Sequence, residues 1–440
     1  MKTKRVVKLN PSQLLMLVFL ISVGMGTILL KLPISTHTSI TYLDALFTAT
    51  SSMTVTGLAT VDIGSTFTLT GQFIIAILIQ LGGLGIMSFG IFIFMMLGKR
   101  IGMKERIVLQ HAFNQTSIGG MLKLVKYVFV FSITIELVAM FILAFRWIPQ
   151  YGVYRGLFYS FFHAISAFNN AGMALMPNNL MAYVGDPLVN IVVTTLIIIG
   201  GIGFTVLIDL YQKRTYKKLT LHTKMMLVGT IVINLFAMFM IFLLEYDNAK
   251  TLGELSLSEK LWASYFQAVS PRTAGFNTID IGSLHESTLF LTVILMFIGA
   301  GSSSTGGGIK VTTAFIIFLA TFAFLQGKAE ITIWRRKISQ DVLLKGLAIT
   351  MISSIIIIVA VMILMVTEHT SFIVVLFEVV SAFSTVGLST GITDNLSPLG
   401  KQILIILLFL GKLGPLTLIY SLTKQSHCKI SYPKEDILIG

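Results

Sequence analysis

Charge is scarce in this chain. Only 12% of its 440 residues are Asp, Glu, Lys or Arg, against about 25% in an ordinary soluble domain. With 55% hydrophobic residues and a mean hydropathy of +0.88, the scarcity excludes a soluble globular protein and implies a polytopic membrane protein. Cysteine is nearly absent: the single Cys428 permits no intrachain disulfide and does not identify a redox compartment. The groupings that carry enzyme chemistry are missing too. No paired carboxylates, His cluster or nucleophile motif converge, the seven His are scattered, and His163 reads as a packing residue. No nucleotide-binding domain is present, and the longest linkers, at about 25 residues, leave no room for a soluble domain. The first apolar stretch lacks a following Ala-x-Ala-type cleavage site, so it reads as a retained helix rather than a signal peptide.

What the chain has instead is long apolar runs. A spanning helix needs about 20 such residues. Eight stretches qualify, near 12–32, 72–97, 122–145, 187–210, 223–244, 287–325, 343–366 and 399–422. They form pairs. Between the members of each pair lies a segment too short to span, at 42–53, 155–168, 258–271 and 370–383. The expected fold is therefore all-α and polytopic: span, half-span, loop, span, repeated four times with eight spanning segments. The units run 1–98, 99–211, 212–326 and 327–422, followed by a tail at 423–440.

Each half-span leads into one recurring phrase: Thr54-Val55-Thr56-Gly57, Asn169-Asn170-Ala171-Gly172, Arg272-Thr273-Ala274-Gly275 and Ser384-Thr385-Val386-Gly387. Ten residues before each glycine stands an aromatic, Phe47, Phe162, Tyr265 or Phe377. Six before it stands Ser51, Ser166 or Ser381, with Ser270 shifted by one. A second glycine cluster follows after 24 to 28 residues: Gly82-Gly83-Leu84-Gly85, Gly200-Gly201-Ile202-Gly203, Gly299-Ala300-Gly301 and Gly411-Lys412-Leu413-Gly414. Features that keep one register in four places indicate divergent internal duplication.

The net charge of +13 does not point to nucleic acid. Most of the Lys and Arg fall at the N-terminus, in the linkers between units and in the tail, while the opposite loops carry Glu245, Asp247 and Glu254. The positive-inside rule then puts both termini and all linkers in the cytoplasm. The half-spans enter from outside and return outside.

Non-helical backbone at membrane depth is tolerated only inside protein or along a watery cavity. Four such loops are best explained by one shared cavity. Glycine there reaches backbone angles that aim successive carbonyls at an axis, and such carbonyls can replace the water around a potassium ion. A helical half-span also directs its negative dipole end inward, which favours a cation. In the third unit the stretch Gly299, Ala300, Gly301, Ser302, Ser303, Ser304, Thr305, Gly306, Gly307, Gly308 interrupts a span. Ten small residues do not hold a helix, and a loop lying across the ion path would serve as a gate, with Lys310 as its anchor. A passive kink is the other reading of the same stretch. Charges inside spans are costly and functional by default. Lys412 either projects into the cavity below the loops, where it repels cations, or serves loop carbonyls or a carboxylate. Arg272, inside the third phrase, would oppose conduction if it faced the axis. It is expected behind the loop, braced by Glu378 or a carbonyl. Glu136 suits a helix–helix contact, and Asp44 a helix start.

These phrases and the broken span resemble the Trk/Ktr/HKT superfamily of potassium-translocating subunits, most nearly its Ktr-type bacterial members. The resemblance runs from the first span to about residue 422. It implies a pseudo-fourfold pore with one filter glycine per unit (Gly57, Gly172, Gly275, Gly387), a gating loop at 299–310, and transport of potassium with frequent sodium dependence. It also implies a homodimer of two pores in the bacterial plasma membrane, surrounded by lipid and docked on a cytosolic ring of nucleotide-binding regulatory subunits. Family members commonly carry arginine where this chain has Lys412. Lysine keeps the charge and loses the planar five-donor fork. Two other classes fit less well. A secondary transporter for an organic solute usually has inverted repeats, and a membrane enzyme lacks its catalytic groups here.

Overall fold

The computed structural model describes residues 11–85, 121–328 and 330–414, together with 88, 102 and 103. The boundary between the first two units, the tail at 423–440 and the ends of the predicted second and eighth spans lie outside the described residues. Among the described residues fifteen α-helices appear in chain order. In the first unit they are α1 (Pro11–Lys31), α2 (Tyr42–Thr54), the single turn α3 (Ile63–Thr66) and α4 (Leu69–Leu84). The second unit contributes α5 (Met121–Tyr151), α6 (Val153–Phe168), α7 (Pro187–Ile202) and α8 (Phe204–Lys213). The third contributes α9 (Leu221–Glu245), α10 (Leu257–Val269), α11 (Glu286–Phe297) and α12 (Val311–Leu325). The fourth contributes α13 (Gln340–Thr367), α14 (Phe372–Phe383) and α15 (Pro398–Leu413). Between α12 and α13 a hairpin pairs β1 (Thr332–Ile333) with β2 (Arg336–Lys337), a small departure from an all-α expectation. Its turn residues Trp334 and Arg335 both have positive φ, the twist that suits a tight hairpin.

Helix starts follow local chemistry. The Thr41 hydroxyl accepts from the Asp44 amide at 3.1 Å, Ser256 and Glu259 form a reciprocal capping box at α10, and Pro187 and Pro398 occupy first-turn positions, where no donor is lost.

Among the described residues four helical segments are long and apolar enough to cross a membrane: Gln13–Lys31, Leu122–Tyr151, Leu221–Glu245 and Gln340–Thr367. They are the first spans of the four units. Ile28, Phe141, Phe239 and Met362 on them are exposed, as befits a multi-pass membrane protein. The second spans of the first, second and fourth units read from the sequence as single spans. The α4, α7 and α15 helices stop at the last glycine of each Gly cluster, Gly85, Gly203 and Gly414, with φ of 81°, 105° and 80°. At Gly203 the chain bends by 93° between α7 and α8. Left-handed backbone ends a helix cheaply only at glycine, so the clusters are breakpoints rather than mere packing stripes.

The same clusters set the distance between a second span and the half-span of its own unit. A Cβ on Gly82, Gly200 or Gly411 would fall 2.0, 1.8 or 1.8 Å from the carbonyl oxygens of Met53, Phe168 or Phe383. Glycine alone allows that approach. Between units, α4 packs on α6, α7 on α10, α11 on α14, and α15 back on α2, so the four units close into a ring. The aromatics Phe47, Phe162 and Phe377 are fully buried in the cores that seat the short helices.

Candidate functional site

The short helices α2, α6, α10 and α14 end where the four phrases begin, so their carbonyl ends, which carry partial negative charge, surround one region. Each phrase has the same backbone. The residue two before the glycine has positive φ: Val55 58°, Asn170 59°, Thr273 72°, Thr385 51°. The glycine does too: Gly57 103°, Gly172 64°, Gly275 75°, Gly387 90°. For β-branched Val55, Thr273 and Thr385 this conformation is costly, of order 1–3 kcal/mol each, and such strain gathers at functional sites.

The serine register explains how that strain is held. Thr56, Ala171, Ala274 and Val386 each donate their amide to the carbonyl of Ser51, Ser166, Ser270 and Ser381 respectively. The Ser166 and Ser381 hydroxyls donate to the carbonyls of Met173 and Leu388 at 2.8 and 2.6 Å, and Ser270 donates to that of Phe276. The amides of Gly57 and Gly387 donate to the hydroxyls of Ser51 and Ser381, both at 3.1 Å.

The four glycines meet in cyclic order. A Cβ on Gly57 would lie 2.4 Å from the Ala171 carbonyl oxygen, one on Gly172 2.7 Å from that of Ala274. One on Gly275 would lie 2.4 Å from that of Val386, and one on Gly387 1.9 Å from that of Thr56. Each glycine thus faces the carbonyl preceding the next unit's glycine, and no side chain fits at any of the four.

Two of the side chains three residues before a phrase glycine, Asn169 and Arg272, reach away from this cluster. Asn169 Nδ2 donates to Gln80 Oε1 at 2.7 Å and to Glu136 Oε1 at 3.2 Å. Arg272 is buried and reaches Asn234 Oδ1 on α9 at 3.3 Å, beside a cavity of about 10 Å³ lined also by Ile197, Ile198 and Thr230. Its partner is therefore not Glu378. That carboxylate instead accepts from Ser389 Oγ, the Thr390 amide and Thr393 Oγ1 at 2.6, 2.8 and 2.9 Å, which organises the loop beyond the fourth glycine. Thr54 stays local, sharing a hydrogen bond of 2.8 Å with Thr56.

The small-residue segment of the third unit lies directly against this cluster. A Cβ on Gly306 would meet Thr273 Oγ1 at 2.1 Å, and one on Gly307 would meet Thr385 Oγ1 at 2.4 Å. The Gly307 amide donates to Thr385 Oγ1 at 2.8 Å. Gly301 and Thr305 donate to the carbonyls of Gly201 and Gly200, and Phe204 donates to that of Ser303, so the loop occupies the bend between α7 and α8. Ser302 Oγ and Thr312 Oγ1 lie 3.4 Å apart, and Ser304 Oγ donates to the Gly301 carbonyl at 2.6 Å. Gly299 donates to Ile309 and Val311 to Ala300, which ties the loop's two ends. Gly308 adopts φ 70°. Lys310 Nζ donates to the carbonyls of Gly306 and Gly307 at 2.7 and 3.4 Å. Lys412 Nζ, arriving from α15, donates to that of Thr305 at 2.6 Å. Both cations serve loop carbonyls.

The sequence reading did not single out Gln80, Asn234 or Lys401. The first two are polar residues within apolar runs, which was a usable signal. Lys401 pairs with Asp44 at 2.9 Å across the junction of units four and one, and nothing local to either residue announces that.

The sequence matches the model of a family described as TrkH, cation transport protein, over residues 10–427. It is 52% identical over 434 residues to the Ktr system potassium uptake protein B of Bacillus subtilis (strain 168), covering 99% of this chain and 98% of that protein. It is 38% identical over 451 residues to the potassium/sodium uptake protein NtpJ of Enterococcus hirae, covering 99% of each. The potassium transporter TrkH from Vibrio parahaemolyticus shares the fold, with a TM-score of 0.74 at 19% identity over 96% of this chain and 87% of that one. The chain belongs to the TrkH family of cation transport proteins, a family of membrane transporters rather than enzymes.

Proposed function

We propose that this chain is the potassium-translocating membrane subunit of a Ktr-type uptake system, with sodium dependence. Backbone carbonyls of the four phrases select the ion, and the loop 299–310 gates the path beneath them. The observation that carries this reading is the cyclic contact of four left-handed glycines with one another's preceding carbonyls. Such a ring offers oxygens to a dehydrated cation and admits no side chain. The names of the similar proteins from Bacillus subtilis and Enterococcus hirae, which specify potassium uptake and potassium/sodium uptake, support the choice of ion. In this reading two copies associate in the bacterial plasma membrane, with both termini and the linkers in the cytoplasm. A cytosolic ring of nucleotide-binding subunits, engaged through the linkers, moves the loop. In this reading Lys310 and Lys412, through their hydrogen bonds to the loop carbonyls, hold the loop closed.

The test is growth. Potassium-uptake-deficient bacteria expressing this chain with its regulatory subunit should grow at low external potassium, and each protein alone should support growth poorly. Failure of the pair to restore growth, with both proteins present in the membrane fraction, would overturn the assignment.

A further inference from the structure

Glu136 sits within α5, a membrane-spanning helix, and is only 7% exposed. Its partners are amides. Gln80 Nε2 donates to both carboxylate oxygens, at 3.1 and 3.0 Å, and Asn169 Nδ2 donates to Oε1 at 3.2 Å. Asn169 Nδ2 also reaches Gln80 Oε1 at 2.7 Å and the Ile165 carbonyl at 2.9 Å. Among the described residues no Lys or Arg forms an ion pair with this carboxylate. Three side chains from two units thus form a closed triangle. Burying a carboxylate without a cation is expensive, and a plain helix–helix contact needs only the Gln80–Glu136 edge. The third vertex is what singles the site out. Asn169 caps the end of α6 and is followed by Asn170 and Gly172, both left-handed, with Ala171 between them. Gly83 backs it: a Cβ there would lie 1.9 Å from Asn169 Oδ1, so the amide is wedged between α4 and α5 with its NH₂ turned to the carboxylate.

We propose that Glu136 is a positioning residue for ion specificity. Acting through Asn169, it fixes the second glycine phrase at the angle the ring requires, and it does so across the junction of the first and second units. The chemistry requires an acceptor with two oxygens. Because Gln80 Nε2 spans both, an amide at 136 sets NH₂ against NH₂ and gives up one edge of the triangle. This inference rests on the reading of the four phrases as the ion filter.

The experiment uses the full chain reconstituted with its regulatory subunit in proteoliposomes, comparing potassium and sodium flux for E136Q, N169D, E136Q/N169D and G172S. Losing one charge-assisted hydrogen bond should lower the potassium-over-sodium preference of E136Q by about tenfold. N169D alone, which sets two carboxylates together, should do the same or worse. In the double variant the amide introduced on α5 and a reversed Gln80 amide both donate to the carboxylate introduced at the end of α6, which rebuilds those edges but not the bond to the Ile165 carbonyl, and the preference should rise above that of either single variant. A purely structural role would lower protein yield and leave the ion preference of the surviving protein unchanged. Should E136Q not accumulate, N169A, which leaves the Gln80–Glu136 edge intact, carries the same expectation. Wild-type preference in E136Q or N169A alongside a loss in G172S overturns the role of Glu136 and leaves the filter reading standing. Wild-type preference in G172S as well overturns the filter reading itself.

Discussion

Lys412 Nζ donates to the carbonyl oxygen of Thr305 at 2.6 Å, joining the last described helix of the fourth unit to the broken span of the third. A charge-assisted hydrogen bond of this kind contributes about 1.5–3 kcal/mol. Replacing Lys412 with Met should therefore raise ion flux measured without the regulatory subunit by roughly tenfold or more. Arginine at the same position offers more donors and should keep that flux low. Equal flux in the Lys412→Met variant and wild type would show that this contact does not hold the loop.

The loop itself can be shortened. Deletion of residues 303–307 removes the segment that presses on Thr273 and Thr385. Flux in the absence of the regulatory subunit should rise and lose its dependence on the nucleotide state of that partner. If flux stays low and nucleotide-dependent, the segment is a passive kink.

Packing predicts a contrast between two glycines. Gly411→Ala places a Cβ 1.8 Å from the Phe383 carbonyl oxygen, a backbone clash costing about 1–3 kcal/mol. Gly24→Ala, in α1, meets nothing within 4 Å and should be neutral or gain up to about 1 kcal/mol of helix propensity. Thermal unfolding in detergent should separate the two, with the first midpoint lowered and the second unchanged or raised.

Glu368 follows the span α13 and accepts from the Ser397 amide at 3.0 Å and from its hydroxyl at 2.5 Å. Burial pushes its pKa up, but the two hydrogen bonds from Ser397, one from Thr367 and the nearby His369 together outweigh burial and hold it below its ordinary value of 4.5. A carboxylate depressed in the folded state contributes stability that is fully present above the ordinary value and fades as pH falls through the folded one. Wild type should therefore lose stability below pH 4.5 more steeply than Glu368→Gln, and the difference of about 1 kcal/mol at neutral pH should vanish in acid. A constant difference across that range would contradict the assignment.

Much of this arrangement was legible in the sequence because it repeats. Four copies placed the short helices, the left-handed glycines and the anchoring serines in one register, and a register needs no knowledge of contacts. Gly85, Gly203 and Gly414 were visible as parts of glycine clusters, yet their effect was not. Glycine in an apolar run suits both close packing and a break, and only the φ of each residue decides. Arg272 was expected behind its loop and lies there, but its partner is Asn234, on the preceding span, instead of Glu378. Pairing across units was the least legible part. The Asp44–Lys401 ion pair and the Gln80–Glu136–Asn169 triangle join residues whose sequence neighbours give no hint of one another, because only packing between units brings them together.

The central claim is that four glycines build one selective ring. Its most direct test is isotopic potassium and sodium flux into proteoliposomes holding the purified chain with its regulatory subunit, comparing wild type with Gly57→Ser and Gly275→Ser. The ring predicts that both variants admit sodium far better relative to potassium than wild type does, since each added side chain displaces the facing carbonyl. Wild-type selectivity in both variants, with flux retained, would contradict it.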